Sequence, residues 1–378
     1  VVHVLHVIEA TIGGTRRHVV DACRGLARRG VRVSLVASAL REPRFREDLR
    51  ELASDGVEIR EIPMVRAIRP ATDLSQTLQL RQILRELRPD IVHTHSSKAG
   101  AIGRLASWSS GVGARVHTPH TFAFLFGAMF SPTSRSLFRA VEKELARKTD
   151  RFLAVSDDEA STFRSAGFIP EQKLRVVPNG VNPAPFDAAK PLERADLKVP
   201  SGAPLLLAVG LLNVAKGQDL AIAALASEAL KDAYLLLAGS GETESELRAL
   251  AEKLGVSARV RFLGWRDDVP RLLKTADFLL LPSRWEGMPY IVLEAMSASL
   301  PVVATRVDGA RAVIEASGGG ALSEEVSAES LAAALAPLLA LDSTRRRQIG
   351  ERGAAAVRGH YTLDHMIDGL LRVYGEVT

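Results

Sequence analysis

A single cysteine, Cys23, stands among 378 residues, and only 5% of the chain is aromatic. One thiol excludes a disulfide framework and a Cys-based zinc cluster, and it fits a reducing compartment. Few aromatics, no zinc-finger spacing and no RNA-binding-sheet signature argue against a nucleic-acid partner. No stretch approaches the roughly 20 unbroken apolar residues of a membrane span. The opening VVHVLHVIEA is short, lacks a basic leader and runs into a glycine loop, so it reads as a first strand rather than a secretory signal. No His, Asp or Glu group shows metal-ligand spacing, and no metal is expected. Against these absences stands an apolar fraction of 47%, ordinary for a globular chain. The length suits two domains at about 150 residues each. The expectation is a soluble, cytoplasmic, two-domain protein.

The net charge of +5 is unevenly spread. Residues 1–180 carry 28 Lys+Arg against 19 Asp+Glu, a balance of +9, and the remainder stands at −4. A basic first half suits phosphates or an acidic membrane face, and equally suits solvated helix faces rich in arginine.

Short apolar runs alternate with helical patterns. Residues 2–8, 31–37, 57–62, 90–95, 114–118 and 151–156 read as strands, with apolar spacings of three and four between them, as at Val19, Val20, Cys23, Leu26 and Ala27. Residues 178–204 are rich in proline and lack periodicity, so they read as an interdomain linker. Strands then resume at 204–210, 233–239, 258–264, 277–282 and 301–305, and two helical segments close the chain at 343–358 and 362–375. Near-continuous strands joined by helices imply parallel sheets covered on both faces. The fold class is α/β, two doubly wound domains facing a cleft, with ligands at the carboxyl ends of the strands.

Three loops follow strands at such ends. Gly13 and Gly14 open a helix near Thr15 and let backbone N–H groups approach an anion, though two glycines fall short of GxGxxG. Lys216-Gly217 follows the first strand of the second half, where a lysine neutralises phosphate, and it lacks the GxxxxGK[ST] of a P-loop. The strongest signal is SRWEGMPYIVLEAM, residues 283–296. Glu286 lies in the loop and Glu294 on the following helix, so two carboxylates can grip hydroxyls at two points of one extended ligand. Gly287 allows close backbone approach, Pro289 suits a first helical turn, and the N-terminus near Met288 to Ile291 offers donors to phosphate oxygens. His120 stands past a strand end and should face a ligand, whereas one of His93 and His95 reads as a core histidine bonded to backbone.

These residues bring a family into view. The segments at 13–30, 93–106, 117–124, 154–160, 176–182, 280–296 and 301–309 resemble retaining glycosyltransferases of family 4, with the two-Rossmann GT-B architecture, over essentially the whole chain. The resemblance implies an acceptor-binding domain over 1–182, a nucleotide-sugar domain over 183–358, and a terminal segment, 359–378, crossing back to the first. It implies that Glu286 holds the donor sugar and Glu294 the ribose. Lys216 would pair with the diphosphate beside the backbone from Gly287 through Met288, Pro289 and Tyr290 to Ile291. Gly239, Gly241, Phe262, Leu263 and Trp265 would lie near base and ribose, Gly13 and Gly14 would close on the diphosphate, and His120 would contact the transferred sugar. The donor is expected to be a UDP-sugar, a substrate rather than a cofactor.

Four positions depart from the family pattern. Leu211 stands where an arginine usually completes the diphosphate clamp, with Arg16, Arg17 and Arg284 as substitutes. Thr121 follows the histidine where glycine is common, and Ser299-Leu300 replace a common Gly-x. The expected reaction passes a sugar to a hydroxyl of a glycan or lipid-linked acceptor with retention, by same-face attack and without metal. Phe122, Phe124 and Phe126, with Arg16 and Arg17 in the same basic domain, suggest an acceptor or acidic-membrane surface and a place at the inner membrane face; ordinary core packing is the equal alternative. A UDP-sugar epimerase and a catalytically weak nucleotide-sugar-binding protein also stay open, the latter because of Leu211.

Overall fold

The computed structural model describes residues 1–125 and 130–378. The chain forms two compact units, Val1–Asn179 with Leu363–Thr378, and Gly180–Thr362.

In the first unit the chain alternates strand and helix. It runs β1 (His3–Ile8), α1 (Gly14–Arg28), β2 (Arg32–Ala37), α2 (Phe45–Ser54), β3 (Glu58–Glu61), α3 (Pro70–Leu87) and β4 (Ile91–His95). It continues through α4 (Ser97–Ser110), β5 (Ala114–Thr118), α5 (Pro132–Arg147), β6 (Arg151–Ala154), α6 (Asp157–Ala166) and β7 (Leu174–Val176). The sheet is parallel, in the order β3-β2-β1-β4-β5-β6-β7. Every residue of β1 and β4 is buried, as both-face coverage demands. The chain winds outward from β1 toward β3 and then returns to the other side of β1 at β4. Ligand crevices form at such a reversal.

The second unit repeats the scheme. It contains α7 (Ala184–Ala188), β8 (Leu205–Val209), α8 (Gln218–Leu225), β9 (Tyr234–Ala238), α9 (Glu244–Lys253), β10 (Val260–Gly264), α10 (Val269–Thr275) and β11 (Phe278–Leu281). Then come α11 (Tyr290–Ser297), β12 (Val302–Ala304), α12 (Ala310–Ser317), β13 (Gly320–Leu322), α13 (Ala328–Leu339) and α14 (Ser343–His360). Its order is β10-β9-β8-β11-β12-β13, so the reversal lies between β8 and β11. The last helix, α15 (Leu363–Gly375), belongs to the first unit. Its Met366, Ile367, Leu370, Val373 and Tyr374 share one core with Val19, Cys23 and Leu26 of α1.

Two features escape a periodicity reading. Residues 178–204 are not a free linker: Phe186, Leu197 and Val199 are buried, and the Leu192 N–H donates to Thr275 Oγ1 at 2.8 Å. Proline disrupted the apolar rhythm there without preventing packing. The strands β7 and β13 are three residues long and lie at sheet edges, too short to show an apolar run.

Candidate functional site

In the second unit, Lys216 and Glu286 come from loops that follow the two strands flanking the reversal, β8 and β11. The Lys216 Nζ donates to Glu286 Oε1 at 2.6 Å, and the Ser283 hydroxyl donates to the same oxygen at 2.7 Å. Ser283 is fixed in turn by the Thr305 hydroxyl, which bonds to its carbonyl at 2.5 Å. Gly217, after the lysine, has φ +63°, and a Cβ there would collide with the Pro282 carbonyl. Only glycine lets the two loops lie so close. Arg284 bolts them together through the Ala215 and Val214 carbonyls and a two-pronged pair with Asp219 at 2.8 and 2.6 Å. Burial alone would raise the Asp219 carboxyl, but Arg284 holds it below its ordinary value. Arg284 is thus committed to scaffolding. Leu211 is half-buried, adds no cation, and accepts a bond from Gln218 at its carbonyl.

The helix α11 begins at Tyr290, with Pro289 as an extended N-cap rather than a first-turn residue. It is largely apolar, and its first turn sets backbone N–H groups after β11, an arrangement that favours an anion. Every residue from Met288 to Ala298 is buried except Glu294, which is half-buried. One accessible carboxylate on an otherwise buried helix has a task other than solubility. Gly239 and Gly241 follow β9, and a Cβ on either would strike the carbonyl of Gly210 or Leu212, so that loop packs on the one after β8. Phe262 and Leu263 are half-buried at the end of β10, with the Arg248 guanidinium 4.1 Å from the Phe262 ring centre. Trp265 is exposed and donates its Nε1–H to Asp267 at 2.9 Å.

In the first unit, Gly13 caps α1 at the end of β1, with Gly14 as its first residue. The site there is dominated by histidine. His6 (β1), His18 (α1), His93 and His95 (β4) and His120 (after β5) gather with ring centres 4.3 to 5.5 Å apart. Burial pushes all five below the ordinary imidazole value, His6 to about 3 and His18 to about 4. They are neutral at pH 7. His93 bonds to Tyr374 at 2.7 Å and Thr118 at 2.8 Å, so both β4 histidines use side-chain rather than backbone partners. Two trios, His6–His93–His95 and His18–His95–His120, bring one nitrogen each within 4.8 Å, and these could hold a metal. Sequence spacing gave no sign of them, because they arise from separate elements. His120 and Thr121 both have positive φ, +50° and +74°. Glu159 pins this strained turn, accepting the N–H groups of Thr121 and Val155 at 2.7 Å each.

The aromatic segment requires a correction. Phe122 and Phe124 are 0% and 7% exposed and pack with Phe163 and Phe168, so they are core and cannot offer a surface to an acceptor or a bilayer. Apolar rings next to a strand end found each other rather than solvent. Phe126 lies outside the described residues. Arg16 pairs with Asp48 and Arg17 with Asp21, each at 2.5 Å.

The N-terminal stretch 12–185 matches the family described as Glycosyltransferase Family 4, and 189–355 matches Glycosyl transferases group 1. The chain is 30% identical over 282 residues, 71% of each protein, to UDP-Gal:alpha-D-GlcNAc-diphosphoundecaprenol alpha-1,3-galactosyltransferase of Escherichia coli. It is 26% identical to the lipopolysaccharide core biosynthesis glycosyltransferase LpsE of Rhizobium meliloti, over 96% of this chain and 95% of that one. Its fold superposes with a TM-score of 0.83 on Anabaena HepE in complex with UDP and glucose, at 21% identity and 100% coverage of both chains. Two parallel sheets, each with its polar groups at the strand ends beside a reversal, thus coincide with family matches over both halves: the chain belongs to the family 4 glycosyltransferases of GT-B fold and is a hexosyltransferase-type enzyme.

Proposed function

We propose that this enzyme moves a sugar from a UDP-sugar to a hydroxyl of a glycan or lipid-linked saccharide, with the anomeric configuration retained. The observation that carries the reading is the Lys216–Glu286–Ser283 cluster at the β8/β11 reversal, followed at once by the α11 N-terminus. In this reading the diphosphate lies over the first turn of α11 and the backbone of Gly287 to Ile291. Lys216, which Glu286 holds in place, turns its charge to the departing diphosphate. Glu286 accepts hydroxyls of the donor sugar, and Glu294, one helical turn deeper, those of the ribose. Phe262, Leu263 and Trp265 with Gly239 and Gly241 flank the base. Within the first unit, the Gly13–Gly14 turn and His120 are the groups this reading assigns to phosphate and sugar oxygens. The bond from the anomeric carbon to the diphosphate breaks, the acceptor oxygen bonds to that carbon on the same face, and the acceptor proton passes to the diphosphate. The two-carboxylate scheme of glycosidases is not needed, because both glutamates bind the donor. With Leu211 in place of a cation, leaving-group stabilisation falls on Lys216 and the helix dipole, and no metal is required.

UDP is favoured because HepE is held with UDP and because the E. coli relative is named for UDP-Gal. The acceptor class follows the same relatives, one named for a diphosphoundecaprenol substrate and one for lipopolysaccharide core. Among the described residues no helix is long and apolar enough to cross a membrane. An inner-leaflet contact is supported instead by exposed Leu74 and Leu78 on α3, Leu105 and Trp108 on α4, and Leu137 and Val141 on α5, a helix that also carries exposed Arg139 and Lys143. Flotation with anionic vesicles tests this contact: binding lost in Trp108→Asp supports it, and no binding by wild type overturns it. Product analysis with UDP-sugars and a membrane extract tests the reaction. A retained glycoside plus UDP is expected, whereas an isomerised donor or unreacted donor contradicts it.

A further inference from the structure

The histidines of the first unit are linked in a line. His6 Nδ1 lies 3.0 Å from His95 Nε2, and His95 Nδ1 lies 3.2 Å from His120 Nε2. We propose that His95 and His6 are positioning residues for His120: this line of three imidazoles fixes the proton of His120 on Nδ1, leaving that N–H as the donor available to a sugar oxygen.

A neutral imidazole has one N–H and one lone pair, and each ring-to-ring bond needs one of each. Once His6 chooses its proton-bearing nitrogen, His95 must follow, and then His120. Just two patterns satisfy both bonds. In one, all three rings carry the proton on Nδ1, and His6 Nε2 is a bare lone pair. In the other, all three carry it on Nε2, and His6 buries an N–H. The His6 Nε2 is fully covered and has no hydrogen-bond partner. An unpaired buried N–H is the rarer arrangement, so the Nδ1–H pattern is favoured.

The surroundings fix ring positions as well. His18 donates its Nδ1–H to the Asn179 side-chain oxygen at 2.9 Å and sets its ring edge against His120 at 4.8 Å. The backbone is strained on both sides, with Ser96 at φ +58° after His95 and His120 itself at φ +50°. Such strain persists where the surrounding structure over-determines it. The metal reading of His18–His95–His120 is weaker, because two of its nitrogens already satisfy one another.

The use of His120 toward a sugar rests on the proposed transfer reaction, but the proton pattern belongs to the ligand-free protein and can be read without activity. Long-range 15N–1H NMR of the full chain with labelled histidine should show His6, His95 and His120 all as Nδ1–H and neutral from pH 6.5 to 8. Rings of unlike pattern, three Nε2–H rings, or a charged ring overturns the proposal. In His6→Phe, and in His6→Asn should the core reject the larger ring, His120 should become a mixture of both forms. The turnover should then fall about tenfold with donor KM little changed. A His120 signal unmoved in a folded His6 variant overturns the line as the cause. If the wild-type pattern holds but no UDP-sugar is ever turned over, the transfer reading fails and the line stands.

Discussion

Two departures from the family pattern fall on left-handed backbone: Thr121 has φ +74° and Ser299 φ +58°. Glycine occupies such conformations without steric cost, whereas a residue with a Cβ is strained there, most of all the β-branched threonine. The relief exceeds the entropy that glycine adds to the unfolded chain. Thr121→Gly and Ser299→Gly should therefore each raise stability, by roughly 0.5–1 kcal/mol, read as a shift in urea midpoint at unchanged slope. Thr121→Gly should also loosen the turn that carries His120, so stability and turnover are expected to move in opposite directions. From the sequence these positions could be marked as unusual. Their strain was not legible, because φ is set by neighbours such as Glu159, 38 residues away.

At the scale of elements, the buried pair between α4 and α5 is an exposed liability of the first unit. The Arg104 side chain is fully buried and its Nη2 holds both Glu142 oxygens, at 3.0 and 2.8 Å. Glu142→Ala strands a buried guanidinium, and chemical denaturation should register a loss of about 3–5 kcal/mol. The β1–α1–β4 histidines impose a second dependence. Their folded values lie below the unfolded value of 6.5, so the unfolded state binds more protons in acid. Stability is full above pH 6.5 and falls as pH drops toward 4 and then 3. At pH 5, His6 and His18 should each cost about 2 kcal/mol, visible as a lower urea midpoint than at pH 7.5. The strand periodicity announced these elements because burial on both faces writes continuous apolar runs. It did not announce the cluster, since histidines at 6, 18, 93, 95 and 120 are neighbours only once β1 pairs with β4 and α1 covers them.

Across the whole molecule, one plan is used twice. Each unit winds a parallel sheet out from its first strand, reverses across that strand, and sets its polar groups at the carboxyl ends beside the reversal. The Glu286/Glu294 pair was legible because seven intervening residues between loop and helix are a local feature. The Lys216–Glu286 bond was not, since it joins positions 70 residues apart. Likewise the segment at 122–124 read equally well as surface or core, and burial decided it. The central claim is that this second-unit cluster holds a nucleotide sugar, with Glu294 on the ribose and Glu286 on the sugar. Isothermal titration calorimetry of UDP and UDP-glucose into wild type, Glu294→Ala and Glu286→Gln tests it most directly. The account predicts that wild type binds both ligands, that Glu294→Ala weakens both by at least about tenfold, and that Glu286→Gln weakens UDP-glucose but not UDP. Equal affinities in all three proteins, or no heat from either ligand with wild type, would contradict it.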